Sequence, residues 1–183
     1  MSKSVCVYSS SSMIVSDEFK ELASELGREI GRRGWNLIFG AGQHGLMGAT
    51  ARGVHESGGT VIGVIPEKMD HPEITYMEAD VLITTQDLRE RKGVMDSKAD
   101  GFIALPGGIG TLEEIIEMLT LRQLGFHERP VIFLNSNGYY NPLFDFFDHM
   151  IEHNTYSHKH KAMYEVSTNP KMALDIIATH SND

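Results

Sequence analysis

Gly101-Phe102-Ile103-Ala104-Leu105 runs directly into Pro106-Gly107-Gly108-Ile109-Gly110-Thr111-Leu112-Glu113-Glu114. The first five residues are uncharged and do not alternate with polar ones, as in a strand covered on both faces of a parallel sheet. The glycines that follow let the backbone turn sharply and approach a ligand closely. Residues 110–124 then read as a helix, whose start offers unpaired N–H groups and a partial positive charge. Such a junction suits a phosphate, and Thr111 adds a hydroxyl. The same letters also spell a capping box, with Thr111 as the cap and Glu114 as its partner. From the loop alone, a tight structural turn stands equal to a binding site.

Outward from this stretch, short apolar runs alternate with segments of helical period. Strands are expected over 4–8, 35–39, 60–65, 80–84 and 130–134, and helices over 46–56, 88–99, 140–152 and 170–180. Ser16 or Asp17 caps a first helix that presents Phe19, Leu22, Ala23, Leu26 and Ile30 on one face, and Gly34 stops it. Residues 66–79 hold two prolines and no period, and read as a loop; residues 164–166 form a short extended piece. The order predicts a single Rossmann-like α/β domain over residues 1–183, a parallel sheet flanked by helices. No repeat, linker or low-complexity block interrupts it.

Composition narrows the function. Sixteen basic and 25 acidic residues leave a net charge of -9. That disfavours long nucleic acid or an anionic membrane as partner but not a small phosphate ligand. The lone cysteine, Cys6, lies in an apolar strand and reads as a core residue in a reducing compartment. No run of 18 apolar residues is present, and the N-terminus lacks an export signal, so a cytoplasmic location is expected.

Two further elements carry candidate chemistry. Gly40-Ala41-Gly42-Gln43-His44-Gly45-Leu46-Met47-Gly48 matches Gly-x-Gly-x-x-Gly after a strand, with Glu67 about where a dinucleotide site would place an acid. It follows the second strand rather than the first, which weakens the dinucleotide reading. Leu88-Arg89-Glu90-Arg91-Lys92 sets three cations at a helix start, where the dipole favours acids. They are either a solvated surface or groups aimed at the Pro106 loop. His153, His158 and His160 are not anchored at a strand end, and no metal is assigned to them.

Together these motifs resemble the Lonely Guy family of cytokinin riboside 5′-monophosphate phosphoribohydrolases, many labelled putative lysine decarboxylases. The family's Pro-Gly-Gly-x-Gly-Thr-x-x-Glu falls on residues 106–114 without mismatch. Its glycine loop falls on residues 40–48, its Arg-Lys helix start on Arg91-Lys92, and its first strand and serine loop on residues 5–12. The resemblance implies hydrolysis of the N-glycosidic bond of a nucleoside 5′-monophosphate, giving free base and ribose 5-phosphate, with no cofactor and no metal. It implies Arg91 and Glu114 as catalytic residues. Gly107, Gly108, Ile109, Gly110, Thr111, Lys92, Gly42, Gly45 and Ser10 would bind substrate, with Leu88 on the nucleobase side. Ala41 stands where the family has glycine, and Leu88-Arg89 where it has Met-His. A pyridoxal-phosphate decarboxylase would need a Schiff-base lysine, and Lys92 is the only lysine among the motifs. A nucleotide or molybdenum-cofactor carrier of the same fold is the alternative. The family also implies a homodimer, and Met118, Leu119, Leu121 and Leu124 offer one helix more apolar surface than a single core face needs; burial within one chain would account for them equally.

Overall fold

The computed structural model describes residues 2–180. Seven parallel strands form one sheet: β1 (Ser4–Tyr8), β2 (Asn36–Phe39), β3 (Thr60–Pro66), β4 (Val81–Thr85), β5 (Gly101–Ala104), β6 (Val131–Leu134) and β7 (Glu165–Ser167). Their order is β4-β3-β2-β1-β5-β6-β7. The helices are α1 (Asp17–Arg32), α2 (Gly45–Glu56), α3 (Leu88–Ser97), α4 (Ile109–Gln123), α5 (Asn141–Glu152) and α6 (Pro170–Thr179).

The alternating direction of strand side chains divides the core into two layers. Val5 and Val7 of β1 pack with Leu37, Phe39 and Ile103 under α1, α2 and α6. Cys6 and Tyr8 point the other way, with Ile38, Phe102 and Phe133, under α3, α4 and α5. Both faces of the central strands are therefore dry, which is why their sequences do not alternate. Cys6 is fully buried and burial pushes its thiol pKa far up, so it is a core residue.

The expected strands and helices are present with small shifts in their ends. Ser16 caps α1, accepting a hydrogen bond from the Phe19 N–H at 3.5 Å. Gly34 follows that helix at φ +64, in the left-handed region that glycine tolerates. One reading is corrected. The capping box at residues 111–114 does not form, because α4 already begins at Ile109, with Gly108 at its cap and no side chain bonded there. The cations Arg89, Arg91 and Lys92 do stand at the start of α3, where the Asp87 carboxylate caps the helix by accepting from the N–H groups of Arg89 and Glu90 at 2.8 and 2.9 Å. Residues 66–79 are more ordered than a plain loop. Thr75 and Tyr76 are buried there, and the Tyr76 N–H reaches Ala41 O at 2.7 Å. No helix among the described residues is long and apolar enough to cross a membrane.

Candidate active site

The strand order reverses beside β1, whose neighbours β2 and β5 lead outward in opposite directions. Ligands of open α/β sheets sit at the carboxyl ends of strands at such a switch point. Here the loops after β1, β2 and β5 meet through one residue. The Ser10 N–H donates to Pro106 O at 3.3 Å, while Ser10 O accepts from the Leu46 and Met47 N–H groups at 2.8 and 3.4 Å. The loops enclose a cleft of about 450 Å³. Ser10, Gly42, Gly108, Gly110 and Thr111 line one part of it, with Arg91 and Glu114 alongside. Met47, Met69 and Ile74 supply an apolar wall.

Arg91 and Glu114 come from different helices and meet in this cleft. The Arg91 Nη1 donates to Glu114 Oε1 at 3.3 Å, and its Nε donates to Val64 O at 3.0 Å at the end of β3. The two side chains are 12% and 13% exposed, so each is desolvated and the pair is shielded from bulk water. Burial raises the Glu114 carboxyl to a pKa of about 7, with Arg91 pulling the other way and Glu113 adding to the rise. A carboxylate held near neutrality beside a fixed guanidinium is a group poised for chemistry. Gly40 makes room for it: a Cβ there would lie 1.6 Å from Arg91 Nη2.

The loop after β5 is open. A Cβ added at Gly108 or Gly110 would meet nothing within 4 Å, so their missing side chains leave space rather than relieve a clash. With no side chain capping α4, its first-turn N–H groups are left for water or an anion. Gly107 differs, since a Cβ there would strike Thr111 Oγ1 at 2.1 Å. Its carbonyl accepts from the Tyr139 hydroxyl at 2.7 Å, and Leu105 O accepts from the Tyr140 hydroxyl at 2.5 Å.

Other expected binding residues stand apart from the cleft. Lys92 is ion-paired with Glu113, and with Glu117 at 2.6 Å, and so ties α3 to α4. Gly45 lies at φ +57 against Ser10 O and Ser12 O, 2.7 and 2.6 Å from where a Cβ would be, and does not line the cleft. Ile109 is 82% exposed. Leu88 lines a second hollow of about 470 Å³ with Pro66, Lys68 and Arg89; Met69 borders both spaces. The dinucleotide reading of residues 40–48 fails because Ser10 O occupies the leading N–H groups of α2. No lysine lines the cleft among the described residues, so nothing there would form a Schiff base. Of the four apolar residues expected to offer extra surface, Met118 and Leu119 of α4 are buried, Leu121 packs partly against the core, and Leu124, which caps the helix at its C-terminus, is exposed.

Sequence reasoning missed Tyr139 and Tyr140, for which the only local signal is the turn pair Asn137-Gly138 just before them. It also missed Met69 and Ile74, which lie in the segment read as a plain loop.

The profile of the family described as "Possible lysine decarboxylase" matches residues 47–177. The chain is 43% identical over 150 residues to the cytokinin riboside 5'-monophosphate phosphoribohydrolase LOG5 of Arabidopsis thaliana, covering 82% of this chain and 66% of that protein. It is 38% identical over 177 residues to the probable cytokinin riboside 5'-monophosphate phosphoribohydrolase LOGL6 of Oryza sativa subsp. japonica, covering 97% and 71% respectively. The match thus spans about two thirds of the length of these curated relatives. Among solved structures, the molybdenum cofactor binding protein from Rippkaea orientalis has a TM-score of 0.75 at 21% identity, over 98% of this chain and 97% of that one. That likeness is one of fold alone. TM1055 has a TM-score of 0.70 at 26% identity, over 97% of this chain and 99% of that one. By family profile, and by sequence identity over most of its length, the chain belongs to the Lonely Guy family.

Proposed function

We propose that this protein hydrolyses the N-glycosidic bond of nucleoside 5′-monophosphates, consuming water and releasing free base and ribose 5-phosphate. The desolvated Arg91–Glu114 pair beside an open glycine cradle carries this reading, and the named activity of the curated relatives supports it.

The 5′-phosphate sits on the first turn of α4, where Gly108, Gly110 and Thr111 offer backbone N–H groups and a hydroxyl. Glu114, one helical turn on, then lies within reach of the ribose. As the bond to the base breaks, positive charge grows on the sugar ring, and the Glu114 carboxylate stabilises it and directs water to C1′. Arg91, whose guanidinium offers a fixed fork of N–H donors, holds Glu114 and donates hydrogen bonds. Ser10 and Gly42 line the same cleft, and the hollow at Leu88 lies on the nucleobase side. No cofactor is assigned.

Residues 1–183 act as one Rossmann-like catalytic domain, in the cytoplasm. The chain forms a homodimer, which the exposed Leu124 and Phe126 at the end of α4 support. Light scattering giving the monomer mass across a wide concentration range would remove the dimer. The activity is tested with a nucleotide panel that includes AMP and N6-isopentenyl-AMP, scored for released base. Release from the monophosphates, and far less from adenosine, is the expected result. AMP binding without release would leave the carrier reading in its place.

A further inference from the structure

The turn from β6 to α5 holds two tyrosines against the glycine loop. Asn137 at φ +53 and Gly138 at φ +68 bend the chain, and Asn135 Oδ1 fixes the turn by accepting from the Tyr140 N–H at 2.7 Å. The Tyr139 ring is then held edge-on by Tyr140 and by Phe19 of α1, with centroids 5.0 and 5.6 Å away. Its hydroxyl ends 2.7 Å from Gly107 O.

We propose that Tyr139 is a positioning residue for the phosphate cradle, pinning the Gly107 carbonyl so that the Gly108 N–H faces the cleft. The proposal rests on the reading that this loop holds a 5′-phosphate. In a planar trans peptide the carbonyl and the following N–H point to opposite sides. Gly108 lines the cleft and Gly107 does not. A peptide between two glycines has little steric resistance to flipping, and a flip would turn a carbonyl oxygen toward the anion. The loop's other carbonyls are tied as well, Pro106 O by the Ser10 N–H and Leu105 O by the Tyr140 hydroxyl. Tyr140 aims no donor, however, because the residue after Leu105 is a proline. The two tyrosines therefore act differently: Tyr140 braces the loop, while Tyr139 orients a binding group.

The test compares Tyr139→Phe with Tyr140→Phe in the full chain, by calorimetry with AMP and adenosine and by steady-state base release. Tyr139→Phe keeps the ring contacts of a half-exposed side chain, so thermal stability should hold. Its AMP affinity should fall by about tenfold, the worth of one hydrogen bond to an anion, with KM rising alike. Adenosine affinity should not change, and kcat should stay within about twofold, since Arg91 and Glu114 are untouched. Tyr140→Phe should lower thermal stability without selective loss of AMP. Unchanged AMP affinity in Tyr139→Phe, or an equal loss for adenosine, would overturn the proposal. A parent protein that binds AMP no better than adenosine would instead overturn the phosphate reading, and a parent that binds AMP but releases no base would overturn only the hydrolase reading.

Discussion

Gly42 and Gly108 line the same cleft from two glycine loops, each between a strand and a helix, yet the loops are built in opposite ways. Around residues 40–48 every space is taken. A Cβ at Gly40 would enter the Arg91 guanidinium, one at Gly42 would press on Met47, and one at Gly45 would meet the Ser10–Ser12 backbone. The leading N–H groups of α2 are already bonded to Ser10 O. Around residues 106–111 the space beside Gly108 and Gly110 is empty, and α4 has no side-chain cap. The first loop matches the dinucleotide pattern better, yet the N–H groups of Leu46 and Met47 at the start of its helix are already spent on Ser10 O. What occupies the space a glycine leaves, rather than the glycine spacing, separates packing from binding.

Substitutions should break the two loops in different currencies. Gly45→Ala should have the largest effect. A left-handed alanine costs about 1–2 kcal/mol, and overlap with a rigid neighbouring backbone adds a similar amount, so unfolding in denaturant should show a loss of about 3 kcal/mol. Gly108→Ala should leave stability within about 1 kcal/mol but weaken AMP binding at least about tenfold in calorimetry, since the new methyl fills the cradle. Equal stability losses in the two variants would erase the contrast. Gly40→Ala lies between them: its neighbour is the end of a flexible side chain, so the fold should persist while Arg91 is displaced and base release drops.

The charged pair gives a pH signature. Burial lifts Glu114 from its ordinary 4.5 to about 7, so the folded chain favours the protonated form. That contribution to stability is fully present below about pH 4.5 and is lost as pH rises toward and through 7. Activity should run the other way, because the charged carboxylate does the work. The kcat/KM profile should climb through an apparent pKa near 7 and level off above it. Glu114→Gln should abolish both the stability change and that limb. The smallest effect belongs to Ala41→Gly. Relief of the strain at φ +57 is offset by loss of a buried methyl that sits over Gly63, so thermal unfolding should move by less than about 1 kcal/mol.

The sheet was legible because its central strands are covered on both faces, leaving apolar runs that nothing else explains. Arg91 and Glu114 were legible only through the family motif, since residues 23 positions apart have no local period to join them. The pairing of Lys92 with Glu113 and Glu117 on α4 was not legible, because charge at a helix start says nothing of direction. Thr111 looked like a cap by its spacing, but the backbone of Gly108 starts the helix earlier. Tyr139 reaches Gly107 across 32 residues, from a turn whose sequence records the bend and not its target.

Whether Glu114 is catalytic is decided by base release from AMP and N6-isopentenyl-AMP, measured for the parent protein and for Glu114→Gln alongside thermal stability and AMP affinity. Glutamine keeps the shape of the side chain and cannot carry the charge that a developing oxocarbenium ion requires. Steady release by the parent and a fall of roughly a hundredfold or more in the variant are expected, with fold and AMP affinity retained. A folded, AMP-binding Glu114→Gln protein that releases base at the parent rate would contradict the catalytic role of Glu114.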